Sequence, residues 1–131
     1  MRAKSLVQVF LLVILVSLAG AVSAHADYTT KSYNATVERV GGYGYSDYAQ
    51  KSSTDDPGRI FSRTVGGHYL VDARMQSASG TTAGARWVRI DDGTVASLTN
   101  WFVAGTRVRI QFHNDLSTLV RVQVTGSWYE A

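Results

Sequence analysis

Tyrosine, tryptophan and arginine carry most of the chemistry this chain offers. Tyr43 and Tyr45 share a face within Gly41-Gly42-Tyr43-Gly44-Tyr45, and Trp101 stands beside Phe102. Flat aromatic rings suit stacking on sugars and adaptable protein contacts. Arg107 and Arg109 alternate with Val108 and Ile110, and Arg121 lies between Val120 and Val122. Guanidinium groups hold carboxylate and phosphate oxygens bidentately. A stripe of them suits anionic polymers such as phosphate-rich wall polymers, acidic glycans or lipid headgroups. Tyr43, Tyr45, Trp101, Arg107, Arg109 and Arg121 are therefore the candidate ligand-binding residues. The competing explanation is structural. Strands favour aromatics, and a solvated sheet face carries charges that pair across strands with residues such as Asp72.

Catalytic chemistry has less to build on. Beyond the N-terminal segment the histidines are His68 and His113, and no Gly-x-Ser-x-Gly turn presents a serine nucleophile. The acidic residues fall mostly in turn-like stretches, without the paired carboxylates that glycoside hydrolysis needs. A small hydrolase would require His68 or His113 beside a carboxylate in a pocket. The acidic pairs Asp55-Asp56, Asp91-Asp92 and Asn114-Asp115 lack the spacing of a calcium loop, and two histidines without spaced partners make no zinc site. The expectation is a non-enzymatic protein with no metal and no cofactor. With no cysteine in 131 residues, disulfides and thiolate chemistry are excluded.

The first 26 residues explain part of the basic charge. Met1-Arg2-Ala3-Lys4 precedes an almost wholly apolar run from Leu6 to Val22, then Ser23-Ala24-His25-Ala26. That order of charge, apolar stretch and small residues is a secretory signal, with cleavage after Ala24 or, preferred, after Ala26. Arg2 and Lys4 are two of the 13 basic residues, so the remainder carries 11 bases against 10 acids. Such near-neutrality excludes a strongly basic nucleic-acid binder. The product expected is a secreted, extracellular domain over 27–131, with no stable membrane span once the signal is removed.

Alternation dominates that domain. Val108, Ile110 and Phe112 share one face, as do Val120, Val122, Val124, Gly126 and Trp128. Tyr69, Val71, Ala73 and Met75 form a third, opposite His68, Asp72, Arg74 and Gln76. Short turn signals separate these runs: Gly41-Gly42, Gly66-Gly67, Asp91-Asp92-Gly93 and Asn114 to Thr118. Each predicts a hairpin, and the last would set Arg107, Arg109 and Arg121 on one outer face. No stretch has helical spacing with caps. The fold class expected is all-β: an antiparallel two-sheet β-sandwich of about seven to nine short strands, preceded by a signal-peptide helix. A small closed barrel is the alternative.

Val122-Gln123-Val124-Thr125-Gly126-Ser127-Trp128 resembles the glycine- and aromatic-rich C-terminal strand of small secreted bacterial β-proteins. The expected function is a binding or interaction module at or outside the cell surface, with a glycan, wall polymer or protein as ligand. A bacteriocin- or toxin-type membrane-active protein is the alternative, followed by the small hydrolase.

Overall fold

The computed structural model describes residues 29–131. The export segment, including Ala24 and Ala26, lies outside the described residues. Nine strands follow in order: β1 (Lys31–Val37), β2 (Tyr43–Tyr45), β3 (Ala49–Gln50), β4 (Gly58–Val65), β5 (Val71–Ser77), β6 (Val88–Ile90), β7 (Val95–Leu98), β8 (Arg107–Asn114) and β9 (Val122–Tyr129). Among the described residues one 3-10 turn, Gly66–His68, joins β4 to β5.

Period-2 alternation gives every long strand one apolar face, and two such sheets stack to hide it. A four-stranded sheet runs β1-β9-β4-β7. The second sheet has five strands in the order β2-β8-β5-β6, with β3 also paired to β8. All pairings are antiparallel, and the sheets do not close into a barrel. Val37, Ile60, Val124 and Trp128 from one sheet meet Val71, Met75, Ile110 and Phe112 from the other, all essentially without solvent exposure. Trp128 is thus a core residue, as the alternation over Val122 and Val124 predicts, whereas Val120, expected on the same inward face, lies before β9 and is exposed.

The turns behave differently from expectation. None of the four predicted hairpins forms. β1 and β2, β4 and β5, β6 and β7, and β8 and β9 lie in opposite sheets, so each turn is an arch over the sandwich end. The reason is competition for edges. β8 has β2 and β3 on one side and β5 on the other, while β9 is flanked by β1 and β4. Neither central strand has an edge left for the other. The β8–β9 arch is pinned instead by Asn114, fully buried, whose amide donates to the carbonyls of Val37 and Glu38 at 3.2 and 2.9 Å. Alternation specifies which face is buried; it does not specify which strand lies alongside.

Two further expectations need correction. Tyr69 lies outside β5, and Trp101 and Phe102 lie in the loop after β7 rather than in a strand. They still point apart: Phe102 is buried and Trp101 is exposed.

Candidate binding face

The outer face of the five-stranded sheet is built mainly from β5 and β8. Register sets Asp72 opposite His113, Arg74 opposite Gln111, and Gln76 opposite Arg109. β2 flanks β8 and places Tyr43 beside His113 and Tyr45 beside Gln111. Gly44, between the tyrosines, faces inward against the backbone of β1. A Cβ there would come within 2.5 Å of the Thr36 carbonyl oxygen, so only glycine lets the strand carrying both tyrosines pack this closely.

β2 and β3 are one edge strand interrupted at Ser46 to Tyr48. Ser46 spans the interruption. Its amide donates to the Ile110 carbonyl at 3.0 Å, and its hydroxyl accepts from the Ile110 amide at 2.8 Å. The irregularity turns Tyr48 toward β8, re-aiming a side chain as bulges commonly do.

These elements produce an interleaved layer of rings and guanidiniums. The Arg74 guanidinium carbon sits 4.0 Å from the Trp87 ring centre, and that of Arg109 sits 3.7 Å from Tyr45 and 5.0 Å from Tyr48. Arg107 lies over Tyr48 at 4.9 Å. The His113 ring lies between Tyr43 and Trp87, with centroids 5.0 and 5.4 Å away. Tyr43, Tyr45 and Trp87 each keep roughly two-fifths of their surface exposed, at 43%, 40% and 38%.

Beneath this layer lie two buried amides. Gln111 accepts from Arg74 Nε at 2.9 Å, and Gln76 accepts from Arg109 Nε at 3.0 Å. The acids at this face are engaged by Arg89, which stands opposite Asp72. Arg89 Nε meets Asp72 at 3.0 Å and its Nη2 meets Asp115 at 2.8 Å. Hydrogen bonding and charge from Asp72, with Asp115 adding to them, raise the Arg89 pKa further, so it stays protonated. Among the described residues, Arg74, Arg107 and Arg109 form no ion pair with a carboxylate.

Four of the six candidate residues therefore come together: Tyr43, Tyr45, Arg107 and Arg109. Trp101 and Arg121 do not join them. Trp101 sits at the end of the sandwich where β8 begins. There its amide donates to the Ala83 carbonyl at 2.9 Å, its ring lies on Gly84, and it lines a shallow pocket with Asp55, Pro57, Arg86 and Asn100. Arg121 lies just before β9, in the other sheet, and its Nε pairs with Glu38 at 2.9 Å. The shared face expected for Arg107, Arg109 and Arg121 fails with the hairpin that required it.

Sequence reasoning passed over Arg74, Gln76, Gln111, Tyr48 and Trp87 as members of this site. Arg74 and Gln76 were visible as the polar side of an alternating strand, but their nearness to Arg109 depends on β5 pairing with β8. His113 lies on the open face, half-buried, and His68 is exposed in the 3-10 turn. Among the described residues no three His, Cys, Asp or Glu side chains gather as a metal site, and no helix is long and apolar enough to cross a membrane.

No family model matches this chain, and no curated protein matches it. Among solved structures it is similar to PirA in its crystal structure, at 18% identity and a TM-score of 0.47, over 82% of this chain and 96% of that one.

Proposed function

We propose that this protein is a secreted, non-enzymatic binding module that holds an extracellular carbohydrate-containing polymer on the outer face of its five-stranded sheet. The observation that supports the reading is the set of half-exposed rings Tyr43, Tyr45 and Trp87, packed against His113, Arg109 and Arg74 on one sheet face. Rings fixed before binding lose little entropy on contact, which favours stacking on the apolar faces of sugars. The face is open and shallow, as a site for an extended chain should be, and the side chains project from paired strands. The N-terminal export signal read from the sequence would deliver the protein to such polymers.

The test is sedimentation of the purified protein with isolated bacterial cell walls and with insoluble polysaccharides, at low and high salt. Pelleting is expected with at least one of these polymers. The triple substitution Tyr43→Ala, Tyr45→Ala, Trp87→Ala should weaken it at least tenfold without loss of the folded β signal in circular dichroism. Control substitutions Asn34→Ala and Thr125→Ala on the opposite sheet should leave it unchanged. Unaltered pelleting of the folded triple variant, or none with any polymer, would refute the proposal.

A further inference from the structure

The polymer's charge is written in the way two arginines are held. Arg74 and Arg109 occupy equivalent settings. Each has its Nε bonded to a buried glutamine on the neighbouring strand, and each lies flat on an aromatic ring. The pairs are reciprocal. Arg74 on β5 binds Gln111 on β8, while Arg109 on β8 binds Gln76 on β5. These hydrogen bonds engage the Nε atoms and leave both Nη atoms of each guanidinium for a partner outside the chain.

Rings and amides, rather than carboxylates, hold both arginines in place. Fixing an arginine gives up about 2 kcal/mol of rotamer entropy. The ring contact and the amide hydrogen bond offset that cost, no carboxylate takes part, and two glutamines are buried to hold the guanidiniums. A solvated sheet face would leave such arginines free or pair them with acids, as the same face does for Arg89. Two clamped forks without a carboxylate are instead organised in advance for bidentate contact with an oxyanion.

Their positions add a second constraint. Arg74 and Arg109 are diagonal neighbours across β5 and β8, about 7–8 Å apart at the backbone. Arg74 leans toward Trp87 next to β6, and Arg109 leans toward Tyr45 on β2. Across the strands the order is ring, fork, fork, ring, over about 14 Å, or three strand spacings. A single small anion would occupy one fork. A linear chain with an oxyanion on each repeat would engage both, and its neutral units would meet the flanking rings.

We infer that the reciprocal Arg74–Gln111 and Arg109–Gln76 pairs form a two-fork site for a linear polymer of sugar or polyol units bearing an oxyanion on each repeat, lying across the strands. The inference rests on the proposed polymer-binding role and specifies which polymers it selects. The bidentate chemistry is shared by phosphate, sulfate and carboxylate.

The test measures binding of the purified protein by titration calorimetry to linear polyphosphate, dextran sulfate, polygalacturonate and neutral dextran of matched length. Phosphatidylglycerol vesicles form a separate arm. At least one charged polymer should bind at least tenfold more tightly than neutral dextran. Arg74→Lys and Arg109→Lys keep the charge but remove the fork. Each should weaken that binding about tenfold, and the double variant further, whereas Arg63→Lys on the other sheet should have no effect.

Lysine variants that bind like wild type would reduce the site to simple charge and overturn the inference. So would charged polymers no better than dextran, or vesicle binding without polymer binding. In the first two cases wall or polysaccharide pelleting that depends on Tyr43, Tyr45 and Trp87 would still stand, so the broader proposal would fail only by its own sedimentation test.

Discussion

The two solvent faces of the sandwich arise from the same strand pattern and carry different chemistry. On the four-stranded sheet Arg59, Phe61 and Tyr129 face outward, with the two rings 6.0 Å apart, but the other outward positions of β1 and β9 are short and polar: Ser32, Asn34, Thr36, Gln123, Thr125 and Ser127. They satisfy one another across strands. The Thr64 and Thr125 hydroxyls lie 2.6 Å apart, and the Gln123 amide donates to Asn34 at 2.7 Å. On the five-stranded sheet the outward positions are long, aromatic or cationic, and three arginines are ordered without a carboxylate. Both faces are compatible with the same core. Folding requires that outward residues tolerate water, and a face that does more than this reflects another demand.

The largest effect that separates the faces lies under the polar one. Gly126 is opposite Tyr33 and points inward, where an added Cβ would collide with the Phe61 carbonyl oxygen and the Tyr33 ring. Gly126→Val should therefore destabilise the protein by about 3 kcal/mol, since backbone cannot move aside as a flexible side chain would. Chemical denaturation reads this directly. An equally stable variant would show that the close approach at Gly126 does not constrain the four-stranded sheet.

A smaller effect depends on pH. Tyr33 packs on Phe112 with centroids 5.1 Å apart, and its hydroxyl and that of Ser62 are buried without a well-formed hydrogen bond. Burial pushes its phenol up to about 12, and the nearby Ser62 hydroxyl pulls the other way. The folded state thus keeps the proton that an unfolded tyrosine, near 10, releases. Stability from this group is fully present below pH 10 and is lost as pH rises from 10 toward 12. Every tenfold difference in acidity between the folded and unfolded phenol corresponds to about 1.4 kcal/mol, so the full loss is about 2–3 kcal/mol. Tyr33→Phe should flatten that part of the alkaline denaturation profile and cost little at neutral pH. An unchanged slope between pH 10 and 12 would exclude Tyr33 as its source.

The smallest effect concerns Arg121. Its pairing with Glu38 is exposed, with side-chain accessibilities of 70% and 52%, and exposed pairs contribute about 0–1 kcal/mol. Arg121→Ala should shift stability by about 0.5 kcal/mol or less and leave polymer binding intact. A tenfold loss of binding would extend the active surface around the sandwich end and blur the contrast between the faces.

The fold class was legible because burial of alternate residues is a local property. Val108, Ile110 and Phe112 announce an inward face from their own spacing, and Trp128 can be assigned to the core the same way. The binding face was half legible. Tyr43 and Tyr45 fall on one side of a short strand, and Arg107 and Arg109 on one side of another, by the same alternation. Arg121 was misplaced because its strand was assumed to lie beside that of Arg109. Trp101 was misplaced because two adjacent aromatics resemble a strand when they lie in a loop.

By itself, then, the sequence determined an all-β domain, the inward residues of its long strands and the chemical types available to the surface. Tertiary structure decided which strands became neighbours. Hydrogen-bonding edges are nearly interchangeable between antiparallel strands, so turn signals such as Gly66-Gly67 and Asp91-Asp92-Gly93 suit an arch as well as a hairpin. Only the full competition for edges put β5 beside β8, and with that choice Arg74 met Gln111, Arg109 met Gln76, and separate polar positions became one face.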